Sequence, residues 1–105
     1  MSTKSKSTKA LEKLSKEKIT LGSFLWSIRK GEDMSMAEFA RELGISRSHL
    51  NDIEKGNKAV SPQKAVEYAQ TLGYSEQQFV RLALQDLLNR YEIPYSVELT
   101  KTKRA

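Results

Sequence analysis

Four polar side chains between residues 47 and 52 have the types and the spacing that suit recognition of double-stranded DNA. Arg47, Ser48, Asn51 and Asp52 stand at positions i, i+1, i+4 and i+5, so on a helix they share one face. An arginine fork fits guanine O6 and N7, an asparagine amide fits adenine N6 and N7, and a serine can serve either base. We therefore predict that these four side chains contact base edges in the major groove.

The residues around this face predict two short helices joined by a tight turn. Leu50 and Ile53 lie three apart on the opposite side of the second helix, and Ser46 is a good N-cap for it. The first helix starts at Ser35, with Glu38 three residues later completing a capping box. Glycine follows Leu43, where a helix end favours a left-handed residue. The first helix is too short to be stable alone, so the two helices must pack against each other as a helix-turn-helix.

The order of cap, small residue, glycine turn, cap and polar face resembles the helix-turn-helix of the XRE and phage Cro/repressor family. The resemblance extends to about Gly73 and rests on Ala37-Glu38-Phe39-Ala40, Leu43-Gly44-Ile45-Ser46, Leu50 and Ile53-Glu54-Lys55-Gly56. It implies a five-helix, lambda-repressor-like DNA-binding domain. Met36 departs from the pattern, because the family often has a polar phosphate contact such as glutamine there, and packing is the alternative role for this side chain.

A second set of side chains is predicted to contact the DNA backbone. The hydroxyl of Ser46 and the amides at the start of its helix can hold a phosphate. In the resembling family, the loop after the second helix runs beside the DNA backbone. The predicted phosphate contacts are Ser35, Ser46, Lys55, Asn57 and Lys58.

Composition excludes several other classes of function. A chain of 105 residues has room for one domain with tails, and it contains no cysteine and a single histidine, His49. No motif for nucleophilic catalysis, phosphate cradling or metal binding occurs. We therefore expect no enzyme activity, no cofactor and no metal site. With no apolar run of membrane-spanning length and no signal-peptide core, we expect a cytoplasmic, nucleoid-associated protein.

The net charge of +5 is concentrated at the two ends of the chain. Residues 1–18 hold six lysines and two glutamates, a balance of +4, and residues 100–105 add +3. Residues 19–99 carry −2. The domain is therefore not broadly basic, and DNA binding would have to rest on a local patch, on dimerisation or on the tails. The local patch comprises Arg47, Lys55, Lys58 and Lys64. Residues 1–18 are expected to be a disordered, flexible arm that either contacts DNA or only keeps the chain soluble.

The remaining sequence predicts three more helices and a strand. Thr20 to about Gly31 reads as a helix whose Trp26 lies to one side of the apolar face, where packing is a commoner role than binding. Serine at 61 followed by proline starts another helix, and Ser75 starts the last. Residues 95–99 alternate apolar and polar, which predicts a short strand. The expected organisation is an arm (1–18), an all-α domain (19–93) and a C-terminal strand with a basic tail (94–105).

The last predicted helix carries two adjacent apolar stripes, more than a small domain core needs. We predict that the outer stripe and the strand form a homodimer interface, which comprises Val80, Leu84, Leu88, Tyr95, Val97 and Leu99.

Two functions from different classes fit these expectations. The first is a homodimeric, sequence-specific transcriptional regulator that acts as a repressor on a palindromic operator. The second is a module that binds a protein partner, as an antitoxin binds its toxin or a bridging factor binds its targets.

Overall fold

The structure, a computed structural model, describes residues 19–103. These residues contain five helices. In chain order they are α1 (Leu21–Gly31), α2 (Met36–Leu43), α3 (Arg47–Glu54), α4 (Pro62–Leu72) and α5 (Glu76–Arg90). The predicted all-α class and the five helices are confirmed for these residues. The predicted N-terminal arm, residues 1–18, lies outside the described residues.

Every helix begins at a serine or threonine whose hydroxyl accepts a hydrogen bond from the backbone N–H three residues later. At α1 and α2 the third residue also returns a side-chain bond to the cap, which forms the reciprocal capping box. These bonds satisfy N–H groups that have no partner inside a helix. The five caps are Thr20, Ser35, Ser46, Ser61 and Ser75.

The tight turn between α2 and α3 depends on Gly44. Its φ of 76° lies in the left-handed region, which side chains with a Cβ rarely adopt. Its N–H donates back to the carbonyl of Arg41, and Ile45 N–H donates to the carbonyl of Ala40. The chain therefore leaves α2 and enters α3 within three residues, as the sequence predicts.

One apolar core joins all five helices. α4 packs along α5 as the largest helix–helix contact, α3 packs on α1 and α2, and α1 also touches α5. Met36 lies at the edge of this core and is partly buried against it. The buried apolar residues are Leu21, Leu25, Ile28, Phe39, Ala40, Leu43, Leu50, Ile53, Ala65, Tyr68, Ala69, Phe79, Leu82 and Ala83.

The predicted C-terminal strand is wrong, because residues 94–103 form no strand among the residues described. After α5 the chain reverses at Glu92, whose φ is 58°, and runs back along the same helix. The side-chain amide of Gln85 donates to the Tyr95 carbonyl at 2.8 Å and accepts from Val97 N–H at 2.8 Å. Gln77 Nε2 donates to the Leu99 carbonyl at 2.7 Å. Glutamine side chains thus replace the second strand that the alternating pattern would need.

Candidate nucleic-acid interface

Helix α3 presents a polar side to solvent because its apolar side is fixed in the core. Leu50 is fully buried and Ile53 is 2% exposed, whereas Arg47 and Ser48 are exposed at the start of the helix. The Ser46 hydroxyl accepts a hydrogen bond from His49 N–H at 3.0 Å and caps this end. A helix held in this way can enter a groove with its first residues leading.

α1 approaches the far end of α3 so closely that only glycine fits at the contact. Gly22 is buried, and a Cβ added to it would overlap the backbone carbonyl of Ile53. The sequence alone does not predict this contact, because an isolated glycine near a helix start has several possible causes. It fixes the tilt of α3 relative to α1.

A buried ion pair ties the same two helices together. Arg29 of α1 meets Glu54 of α3 through two hydrogen bonds, Nε–Oε2 at 2.9 Å and Nη2–Oε1 at 3.0 Å. Their side chains are only 10% and 4% exposed, and Arg29 Nη1 also donates to the Met34 carbonyl at 3.3 Å. The bond to Glu54 raises the pKa of Arg29. Sequence reasoning missed this pair, since two charged residues 25 positions apart carry no spacing signal.

Three of the four predicted base-contacting residues lie around one shallow cleft. Arg47, Ser48 and Asn51 line it together with Met36. We call Arg47, Ser48 and Asn51 the reading face. Asp52, the fourth, is half-buried and does not line this cleft; its carbonyl accepts the N–H groups of the following loop.

The predicted phosphate-contacting residues are all exposed, and three of them lie at the end of α3. Asn57 and Lys58 both donate backbone N–H to the Asp52 carbonyl, at 2.8 and 3.2 Å, so this loop is folded back onto the helix that it follows. Lys55 and Lys58 are both exposed and stand in sequence on either side of Gly56, whose φ is 81°. The five exposed residues are Ser35, Ser46, Lys55, Asn57 and Lys58.

The two helix starts predicted to hold phosphate differ in their electrostatics. At α2, Ser35 N–H donates to the Glu38 carboxylate at 2.8 Å, and this bond lowers the pKa of Glu38. The Glu38 carboxylate therefore already occupies the start of α2, where a phosphate would bind. The first turn of α3 contains no acidic residue, so its positive end faces solvent without an internal carboxylate.

A second cleft adjoins the reading face and was not predicted. It is a shallow space of about 440 Å³ between α1, the start of α2 and the end of α3. It shares Met36 and Asn51 with the first cleft, so the two are contiguous. The residues around it are Ser23, Trp26, Arg29, Met36, Asn51, Glu54 and Lys55.

The residues predicted for a dimer interface lie on α5 and on the segment folded back along it. Val80, Leu84 and Leu88 are half-buried, as are Val97 and Leu99, and Tyr95 is 71% exposed. Val80 packs on the core, and it shares a surface cavity with Leu99. The folded-back segment therefore covers part of the outer apolar stripe of its own α5.

Two further features are absent from residues 19–103, the range that the structure describes. Within that range no group of three or more metal-ligating side chains comes together. None of its helices is long and apolar enough to cross a membrane.

Comparisons with known proteins agree with this geometry. A family model described as helix-turn-helix matches residues 27–79, about half of the chain. The antitoxin PezA of Streptococcus pneumoniae serotype 4 is 33% identical over 89 residues, which cover 81% of this chain and 54% of that protein. The chain thus spans about half the length of this relative. No solved structure matches the chain. The matched residues include α2, the Gly44 turn and α3, and the chain belongs to the XRE-type helix-turn-helix family of DNA-binding domains.

Proposed function

We propose that this protein is a sequence-specific transcriptional regulator that represses by occupying a palindromic operator as a homodimer. The observation that carries the proposal is the exposed start of α3, where Arg47, Ser48 and Asn51 surround one cleft. Arginine, serine and asparagine suit the donor and acceptor pattern of the major groove. Asp52, the fourth predicted base contact, is half-buried. Of the four residues it lies furthest along α3 from the exposed start of the helix.

Arg47 is the principal base reader in this proposal, since it leads the helix into the groove. Arg47→Ala should cost about 1–3 kcal/mol of binding free energy on the selected site and relax preference at one base pair. Sites are first selected from random DNA with the full chain, and affinities are then measured by gel shift or anisotropy. Unaltered sequence preference in Arg47→Ala would refute the proposed docking.

Lys58→Ala is the variant to compare with Arg47→Ala, because Lys58 lies in the loop after α3 rather than on the reading face. As a phosphate contact it should weaken binding to every sequence alike when it is changed to alanine. The slope of log affinity against log salt should fall by about one unit. A loss confined to the selected site would contradict the phosphate role.

Dimerisation is proposed through the outer stripe of α5 and the segment folded along it. One short recognition helix reads few base pairs, so two copies on half-sites about 34–36 Å apart are expected. Leu84→Asp, or truncation before Tyr95, should dissociate the dimer and leave weak half-site binding. Gln63→Glu adds a charge at an exposed site on α4 and should change neither property. Sedimentation at micromolar concentration decides: a monomeric full-length chain would rule out the homodimer.

A second candidate function is that of an antitoxin-like module that binds a protein partner. The identity with PezA favours it, as does the −2 balance of residues 19–99. On this proposal the exposed side of residues 95–99 binds a toxin-like protein, and the chain alone is monomeric. A toxin-like reading frame beside the gene, and a stable complex of the two purified products, would support it; an isolated gene with tight operator binding would favour the first function.

A further inference from the structure

Trp26 is a large exposed side chain that is not part of the buried core. Its neighbours on α1, Leu25 and Ile28, are 0% and 6% exposed, whereas 46% of Trp26 faces solvent. Its indole is also the only one in the chain. An aromatic side chain of this size leaves a large apolar area in water unless something covers it.

The indole lies beside the reading face. Trp26, Met36 and Asn51 line the cleft between α1, α2 and α3, and Met36 and Asn51 also line the adjoining cleft that contains Arg47. Trp26 and Met36 therefore make an apolar patch that is continuous with the predicted DNA surface. We call this pair the apolar patch.

Positive charges flank the apolar patch. The Lys30 ammonium is 5.9 Å from the centre of the indole ring, and Lys55 lines the same cleft. The other two charged residues of this cleft, Arg29 and Glu54, neutralise each other, so an apolar surface with lysines nearby remains. Such a surface suits the sugar–phosphate backbone, where the C–H face of a deoxyribose lies between phosphates. Phosphate and sugar contacts fix position and contribute affinity without reading sequence.

The place of the apolar patch relative to α3 selects the backbone over the bases. Asn51 lies on the reading face, while Trp26 and Met36 belong to helices that pack beside α3. With α3 in a major groove about 12 Å wide, side chains from the neighbouring helices meet the wall of the groove, not its floor. The wall is the sugar–phosphate strand.

We infer that Trp26, supported by Met36, packs on a deoxyribose of the duplex backbone that borders α3 and supplies sequence-independent affinity. This inference rests on the proposed DNA-binding function and adds a contact to it. It also assigns a binding role to a side chain for which the sequence favoured packing.

The test measures affinity, sequence preference and salt slope together for Trp26→Ala. We expect about fivefold to tenfold weaker binding to the selected duplex and to random duplex alike, from the apolar area no longer buried. The salt slope should stay unchanged, because no phosphate charge contact is removed. Arg47→Ala, which changes preference, and Lys58→Ala, which changes the slope, give the two contrasting signatures in the same titrations.

Three controls separate the contact from a general effect on the fold. Tyr74 is similarly exposed at 42% but packs against Phe24 and Phe79, so Tyr74→Ala should not alter DNA affinity. Trp26→Met keeps an apolar side chain and should lose less affinity than Trp26→Ala. The circular dichroism of each variant must match that of the wild type at the assay temperature.

Two further measurements identify the apolar group on the DNA. In the wild type, the emission of the single tryptophan should shift on binding to selected and random duplexes alike. Replacing every thymine of the selected duplex by uracil removes the 5-methyl groups and should leave the loss in Trp26→Ala unchanged. A loss that vanishes on uracil DNA would overturn the deoxyribose assignment in favour of a thymine methyl contact.

Failure of the inference can be told from failure of the proposed function. If the wild type binds a selected site and Trp26→Ala binds it equally well while folded, the inference is wrong and the regulator proposal stands. If the wild type selects no DNA sequence and binds no duplex, the proposed function fails and the inference fails with it.

Discussion

Helix α3 and the segment 95–99 are both held in place by side chains of another helix, but in different surroundings. Arg29 and Glu54 fix α3 through two hydrogen bonds, with side chains 10% and 4% exposed. Gln85 and Gln77 hold the segment through three bonds, of which two are exposed and the one from Val97 N–H is partly buried. Bonds shielded from water are costly to leave unmade, whereas water can replace exposed ones. The reading face is therefore rigidly oriented, and the segment can be released at low cost.

Breaking the buried pair should have the largest effect and tests the first half of this comparison. Glu54→Ala leaves the Arg29 guanidinium buried without its carboxylate and should lower the free energy of unfolding by about 3–5 kcal/mol. The exposed pair Lys64–Glu67, at 3.1 Å, is the control, and Glu67→Ala should leave stability almost unchanged. Urea unfolding of both variants gives the measurement. Equal losses would show that burial is not what distinguishes the two pairs.

The next largest effect is expected at the contact between α1 and α3. Gly22→Ala places a methyl group against the rigid carbonyl of Ile53, so the helices must separate, at about 3 kcal/mol. Gly31→Ala is the matched control, since a Cβ there meets nothing within 4 Å. Thermal and urea unfolding should separate the two variants clearly. A Gly22→Ala protein as stable as Gly31→Ala would mean that α3 is free to shift.

Asp86 offers an intermediate case, a side chain of α5 that caps another helix from a partly buried position. Its Oδ2 accepts Leu21 N–H at 2.9 Å, and Oδ1 is buried with no hydrogen-bond partner among the described residues. Burial raises the pKa of Asp86 above its usual 3.8, although the Leu21 bond and the charge of Arg90 oppose this. The folded state thus binds the proton more tightly than the unfolded state does, and ionisation costs stability as the pH rises through that range.

Asp86→Asn keeps an acceptor for Leu21 and removes the charge. Its stability relative to the wild type should therefore increase as the pH rises from about 4 towards 7. Asp86→Ala removes the acceptor as well as the charge, so it should be about 1 kcal/mol less stable than Asp86→Asn at every pH. Urea unfolding at several pH values measures both. A difference between Asp86→Asn and the wild type that does not vary with pH would contradict the raised pKa.

The smallest effect on stability is expected for the segment. Gln85→Ala removes the bonds to Tyr95 and Val97, yet the free energy of unfolding should change by less than about 1 kcal/mol. Amide exchange at Val97 should nevertheless accelerate strongly, because its N–H loses its acceptor. Gln70→Ala, which loses only a surface bond to Glu76, should leave that exchange unchanged. Slow exchange at Val97 in Gln85→Ala would show that apolar contacts, not the glutamine, hold the segment.

Local signals in the sequence were enough for the helices and for the position of the reading face. Caps such as Ser35 and Ser46, the glycine at 44 and the spacing of Leu50 and Ile53 act within a few residues, and each is confirmed. The prediction of a strand at 95–99 was wrong because it, too, depended only on a local signal. Alternation describes an extended chain, and only the rest of the fold decides whether the partner is another strand or a glutamine amide. The roles of the site residues in binding remain predictions.

The sequence by itself determined which residues form helices, which side of each is buried, and that the three residues of the reading face share one side of α3, whereas Asp52, predicted with them, does not line the same cleft. These properties follow from hydrogen bonds and periodicities that act over three or four residues. Only the tertiary structure decided how α3 is tilted and what surrounds its reading face. The Arg29–Glu54 pair, the Gly22 contact and the place of Trp26 beside Asn51 join residues about 25 or more positions apart. Such contacts arise when helices pack, and the local spacing of residues along the chain does not predict them.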